Sequence, residues 1–183
     1  MPFVITISRQ LGSGGAYIGQ QLAQKLNVNF VDREIIIEAA QQLSIMEEEV
    51  DEQDEKIQSF WKSFLHFNPL PSNETLIPKM IMPTAGELFK VESEIIEQIA
   101  KESSSVIIGR CGYYVLRNHP NCVKVFLYAD ADFRSQRIQN LYNMTEQKAK
   151  ELIAKSDKER AHYISLFTEN KWTDTRQFEK SME

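Results

Sequence analysis

The chain has 183 residues, 42% hydrophobic and 26% charged, enough for one sizeable core and short for two. A formal net charge of −5, from 21 basic and 26 acidic residues, argues against a broadly basic nucleic-acid-binding surface but leaves room for a local basic pocket. No run approaches the roughly 18 apolar residues of a membrane span, Met1–Ile7 has no basic lead, and the two cysteines, Cys111 and Cys122, cannot build a disulfide framework, so a cytoplasmic protein is expected.

In chain order, Phe3–Ser8 is a short β-branched apolar run and reads as a buried strand. A loop follows over Arg9–Gly15, then a helix over Ala16–Leu26 with Ile18, Leu22, Ala23 and Leu26 on one face. Asn29–Asp32 is a brief second strand and Arg33–Leu43 a second helix. Ser44 and Glu47 fit a capping box that opens a third helix with an acidic outer face. Asn68–Pro83 holds four of the six prolines, so it is expected as a long loop or flap. Thr84 and Glu87 form a second capping box, for a helix reaching about Lys101. Ser105–Gly109 and Cys122–Ala129 read as strands, Asp132–Tyr142 as a helix, and Thr145 caps a long helix to about Phe167.

Strands alternating with helices imply a mostly parallel sheet covered on both faces, with ligands at the carboxyl ends of the strands. The loop Arg9–Gly15, Asp32, Gly109-Arg110 and Asp130 all fall at such ends. The expectation is one domain over 1–183: a phosphate loop and first strands in 1–43, a helical insertion in 44–103 with its flap at 68–83, and the remaining core and lid helices in 104–183.

Gly12-Ser13-Gly14-Gly15, between a strand and an amphipathic helix, has the anatomy of an anion cradle. Glycine admits a phosphate close to the backbone, and the helix start directs free amides and a positive dipole end at it. A dinucleotide-binding Rossmann turn, Gly-x-Gly-x-x-Gly, is the weaker reading, because its third glycine would be Tyr17. The P-loop pattern G-x-x-x-x-G-K-[ST], aligned on Gly14, has Arg9 for its first glycine, Gly15 for its lysine and Ala16 for its hydroxyl residue. His66, His119 and His162 show no metal-ligand spacing, and Cys111 has no histidine nearby in sequence.

Ile5-Thr6-Ile7-Ser8-Arg9, the glycine loop, Phe30–Glu34, Val106–Cys111 and Asp157-Lys158-Glu159-Arg160 together resemble the cytidylate kinase-like family over nearly the whole chain. The resemblance implies a three-layer α/β P-loop kinase fold, a parallel sheet flanked by helices with a helical substrate or flap insertion; kinases of this fold usually have a fifth strand near the C-terminus, and whether this chain has one is left open by its residues. The resemblance further implies a small-molecule nucleotide as partner, ATP and Mg2+ as cofactors, and a monomer or homodimer. Neither nucleic acid nor a membrane is expected as a partner. By the same resemblance Arg9, Gly12, Ser13, Gly14, Gly15 and Ala16 would hold ATP, while Asp32, Arg110, Arg134 and Arg137 would bind substrate. Arg9, Arg110 and Arg160 would act in catalysis, and Ser13 and Asp130 are candidates for the metal. The family pattern commonly has Arg-Glu where this chain has Ala16-Tyr17, a further departure beside the missing lysine. Two functions follow: a nucleotide kinase, in which Arg9 reaches the phosphates from the other end of the loop, or a catalytically silent nucleotide sensor. Local caps at Arg110, Asp32, Asp130 and Asp132 and surface arginines at 134 and 137 are the structural alternatives.

Overall fold

The computed structural model describes residues 2–32 and 84–182. The expected helix Arg33–Leu43, the helix opened by Ser44 and the proline-rich segment Asn68–Pro83 lie outside the described residues.

Five strands form one parallel sheet in the order β2-β3-β1-β4-β5. They are β1 (Val4–Arg9), β2 (Asn29–Val31), β3 (Ser105–Ile108), β4 (Cys122–Leu127) and β5 (Lys180–Met182). In β1 and β3 the side chains alternate between two apolar layers, as a pleated strand requires. Ile7, Val106 and Ile108 pack with Ala23 of α1 (Gly15–Leu26), while Val4 and Ile107 pack with Ile96 and Ala100 of α2 (Ala85–Glu102). Helices therefore cover both faces, the arrangement a buried parallel sheet demands. No helix among the described residues is long and apolar enough to cross a membrane.

Thr84 caps α2 as the sequence implies: its hydroxyl accepts from the Glu87 N–H at 3.2 Å, and its own N–H donates to the Glu87 carboxylate at 2.9 Å. Three residues after Gly109, a single turn α3 (Gly112–Val115) begins that no sequence pattern announces. Helices α4 (Ala131–Tyr142) and α5 (Glu146–Thr168) form a hairpin closed by Ile138, Ala149 and Ile153, against which Leu11 of the glycine loop packs.

Boundaries at the site differ from the expectation in ways that matter. Strand β1 runs through Arg9, so Arg9 is the last strand residue rather than the first of the loop. Helix α1 starts at Gly15, one residue early. Strands β2 and β4 stop at Val31 and Leu127, short of Asp32 and Ala129. At the end of β4 the loop takes over the ladder: the Gln10 N–H donates to the Leu127 carbonyl at 3.0 Å, and the Ala129 N–H to the Gln10 side chain at 3.4 Å. The fifth strand is present and short, anchored by Glu179, whose carboxylate accepts from the Lys124 N–H at 2.6 Å and from its ammonium at 2.9 Å.

Candidate functional site

Gly12 and Gly14 both sit at φ +85°, a conformation open to glycine and strained for other residues. They curl the loop so that α1 begins at Gly15 with Gly14 as its N-cap, without any capping side chain and without an acidic residue in the first turn. The first amides of a helix have no intrahelical partner, so this turn offers N–H groups and the positive end of α1 to an anion. Gly12, Gly14, Gly15 and Ala16 line one wall of a cavity of about 360 Å³, with Tyr17 at its edge, 60% exposed and leaving it unfilled.

Arg9 crosses this cradle. A Cβ on Gly15 would stand 2.7 Å from the Arg9 Cβ and 2.8 Å from its Cγ, and a Cβ on Gly109 would overlap the Arg9 Nη1. Gly15 and Gly109 thus leave the channel in which the Arg9 side chain lies. Its head also meets the Asp32 carboxylate at 3.6 Å. The position where the P-loop pattern has a lysine is therefore glycine because an arginine from the preceding strand occupies that space.

Three more arginines line the cavity: Arg110, Arg137 and Arg160. Arg137 reaches from α4 over the loop, its Cζ 3.6 Å from where a Gly14 Cβ would be, and it makes no ion pair or hydrogen bond among the described residues. The Arg160 guanidinium donates to the Arg9 carbonyl at 3.3 Å and lies 3.9 Å from Asp157. Burial, reinforced by the charge of Arg9, pushes the Arg160 guanidinium down to about 9, and burial lowers Arg9 too, with Asp32 opposing and Arg110 adding to the fall. A guanidinium gives up its proton very reluctantly, so crowding half-buried cations in this way creates a demand for an anion among them.

Arg110 stands on a strained corner at the end of β3. Gly109, Arg110 and Cys111 have φ of +75°, +52° and +53° in succession, and each non-glycine residue in this region costs about 1–3 kcal/mol unless its surroundings hold it there. The surroundings do: the Gly109 N–H donates to the Ile7 carbonyl, and the Gly112 N–H to the Gly109 carbonyl, both at 2.9 Å. The side chain, 8% exposed, meets Glu92 of α2 at 3.5 Å. The Tyr163 hydroxyl donates to the other Glu92 oxygen at 2.7 Å. Burial pushes the neighbouring Cys111 thiol up to about 12, with Glu92 adding to it, which removes it as a thiolate nucleophile.

Arg134 is placed elsewhere. It is absent from the cavity lining; its Nη1 meets Asp157 at 2.6 Å and donates to the Leu11 carbonyl at 3.3 Å. Asp157 in turn accepts from the Leu11 N–H at 3.3 Å. One carboxylate and one guanidinium thus clasp both backbone groups of Leu11, and α4 lies so close that a Cβ on Gly12 would meet the Arg134 Cβ at 2.9 Å. Ser13 is also outside the lining, its hydroxyl donating to the Gln10 carbonyl at 2.9 Å, and Asp130 is the N-cap of α4 with no side-chain cap bond. No group of three His, Cys, Asp or Glu that could hold a metal occurs among the described residues. With Ala16 in place of a hydroxyl ligand, these residues do not fit a protein-held magnesium.

Against known proteins, the sequence matches the cytidylate kinase-like family over residues 4–183. The chain belongs to that family. Among solved structures it is similar to an uncharacterized protein from Eubacterium ventriosum ATCC 27560, with 23% identity, a TM-score of 0.71, and 98% of this chain and 86% of that one covered. It is also similar to a shikimate kinase from Bacteroides thetaiotaomicron, with 16% identity, a TM-score of 0.52, and coverage of 99% and 85%. At such identities the likeness speaks to the fold, and it agrees with the expected P-loop kinase architecture. No match is found among curated proteins. In this cytidylate kinase-like chain, Asp32 and the arginines 9, 110, 137 and 160 converge as the sequence implies, whereas Arg134 and Asp157 brace the loop from behind. Asp157 lies in the stretch Asp157–Arg160 that carries the resemblance, which does not announce its hold on Leu11; Glu92 leaves a trace as a charge inside the stripe Leu88, Ile96, Ala100.

Proposed function

We propose that this chain is a nucleotide kinase transferring the γ-phosphoryl group of ATP to a nucleoside monophosphate, with CMP the first acceptor to test. The observation that carries this reading is the pair of arginines laid across the glycine loop, Arg9 against Gly15 and Arg137 against Gly14. Phosphoryl transfer rests on positioning and on positive charge around the oxygens where negative charge builds up. A cation about 4 Å from such an oxygen is worth roughly 4 kcal/mol at a near-surface dielectric, or two to three powers of ten in rate. A chain without the lysine needs another cation in that place, and here two guanidinia adjoin it.

In this reading the amides at the start of α1 cradle the donor phosphates, with Arg9 and Arg137 supplying the charge. Arg110, at the end of β3, takes the acceptor phosphate through its planar fork. Arg160, which also lines the cavity, is assigned to the group in transfer. Asp32 restrains the Arg9 head and borders the acceptor side. Magnesium supplies charge neutralisation when it arrives with the phosphates of ATP; no step is assigned to a protein-held ion. A coupled assay with ATP, magnesium salt and each nucleoside monophosphate is expected to show turnover with at least one acceptor. Silence with every acceptor removes the kinase reading.

Gly15 and Ala16, which keep the cradle but lack the lysine and hydroxyl, favour a second reading as a nucleotide sensor. A sensor would bind ATP without turnover. Ligand at 100 times its dissociation constant adds about 2.7 kcal/mol, a rise in melting temperature of roughly 5–10 °C for a chain of this size.

A further inference from the structure

We propose that Glu92 is a positioning residue for the acceptor side of the site: its buried carboxylate fixes the direction of the Arg110 guanidinium, and Tyr163 fixes that carboxylate from the lid helix. The proposal rests on the nucleotide reading only for what Arg110 grips.

The starting point is a placement that α2 has no packing reason to tolerate. Leu88, Ile96 and Ala100 are buried on one stripe of α2, and Glu92, four residues from both Leu88 and Ile96, falls on the same stripe at 0% exposure. An apolar residue there would complete the face. A carboxylate held away from water is costly unless it is paired and hydrogen-bonded, and burial indeed pushes Glu92 up while Arg110 pulls it back. Its two oxygens are used separately. One accepts from the Tyr163 hydroxyl at 2.7 Å; the other faces the Arg110 Nη1 at 3.5 Å.

That division suits orientation rather than mere neutralisation. The ion pair at 3.5 Å is longer than a tight charge-assisted bond of about 2.8 Å, and it engages one edge of a fork that carries five donors. Arg110 also lines the cavity. Charge balance asks for the same group: burial is what chiefly lowers Arg9, and the like charge of Arg110 adds to the fall. Asp32 answers the charge of Arg9 and Asp157 that of Arg160; Glu92 answers that of Arg110. Without it, the cation at the strained Gly109–Cys111 corner has less to hold its heading. Because Glu92 belongs to α2 and Tyr163 to α5, the acceptor arginine is tied at once to α2 and to the α4–α5 hairpin.

Glu92→Gln keeps the shape and an acceptor for Tyr163 but removes the negative charge; Tyr163→Phe removes only the hydroxyl and serves if the first variant does not fold. Calorimetric titration with CMP and with ATP is the binding readout. Losing one charged hydrogen-bonded contact corresponds to about tenfold in affinity. Glu92→Gln should therefore weaken CMP about tenfold and leave ATP within about twofold, with Tyr163→Phe moving CMP in the same direction by less. A role confined to stability would lower the melting temperature and leave both affinities alike. Wild-type affinity for CMP in both variants, or an equal loss for ATP, overturns the proposal. If the wild-type protein binds neither nucleotide, the kinase reading falls, and the positioning role is decided on the ligand-free chain. The Arg110 Nε–H signal in nitrogen-15 NMR should be resolved and slow to exchange in wild type and averaged in Glu92→Gln; an unchanged signal rejects it.

Discussion

Gly15 shows how a missing side chain can be a structural choice rather than a loss. Restoring the lysine of the P-loop pattern by Gly15→Lys would drive its Cβ to 2.7 Å from the Arg9 Cβ. Overpacking of this kind typically costs about 1–3 kcal/mol, and the displaced arginine loses its place at the cradle. Gly15→Lys is thus expected to lower both melting temperature and ATP affinity, while the double change Arg9→Gly with Gly15→Lys, which removes the Arg9 Cβ as well, recovers affinity relative to either single variant. Thermal melts and ATP titration across the four proteins measure it; a single Gly15→Lys that binds ATP better than wild type rejects the substitution argument. The residues at the strand ends were legible because their types and positions carry the chemistry: Arg9, Asp32 and Arg110 all reach the cavity. Arg134 and Arg137 were not separable, since a spacing of three places both on one side of α4 without saying how that helix crosses the loop. The structure divides them, Arg137 into the cavity and Arg134 onto Asp157 behind it.

At the scale of elements, the site depends on how the α4–α5 hairpin grips the glycine loop. Asp157 accepts from the Leu11 N–H and pairs with Arg134, which donates to the Leu11 carbonyl. The Arg134 and Asp157 side chains are largely buried, and removing one partner of a buried pair costs about 3–5 kcal/mol. Asp157→Asn, which keeps an acceptor for Leu11 but drops the charge, should destabilise by less than that range and weaken ATP several-fold, with CMP nearly unaffected. Equal binding of ATP by wild type and variant, in a titration, would show that the clasp does not shape the cradle. The core strands were readable from β-branched apolar runs, and α2 and α5 from Thr84 and Thr145, whose hydroxyls accept from Glu87 and Lys148. Strand β5 was not readable from its residues: Lys180-Ser181-Met182 has no apolar run, and pairing with Val125–Leu127 is what makes it a strand. Turn α3 is too short to show a period, and Glu92 finds its partners 18 and 71 residues away, on Arg110 and Tyr163.

Over the whole molecule, a parallel sheet sends the ends of β1, β2 and β3 to one edge, where three of the chain's 21 basic and 26 acidic residues, Arg9, Asp32 and Arg110, meet the start of α1. The lid hairpin brings Arg137 and Arg160 to the same cavity, so a chain of net charge −5 keeps a concentrated cationic pocket. The family supplies the kinase fold; under the proposed function, the arginines across the glycine loop stand in for the lysine. A crystal structure of the protein soaked with ATP and magnesium tests that substitution most directly. The account predicts phosphate oxygens on the amides of Gly14 and Gly15, with the Arg9 and Arg137 guanidinia in contact with them. Phosphates bound away from the loop, or Arg9 still held on Asp32 with no oxygen near it, would contradict it.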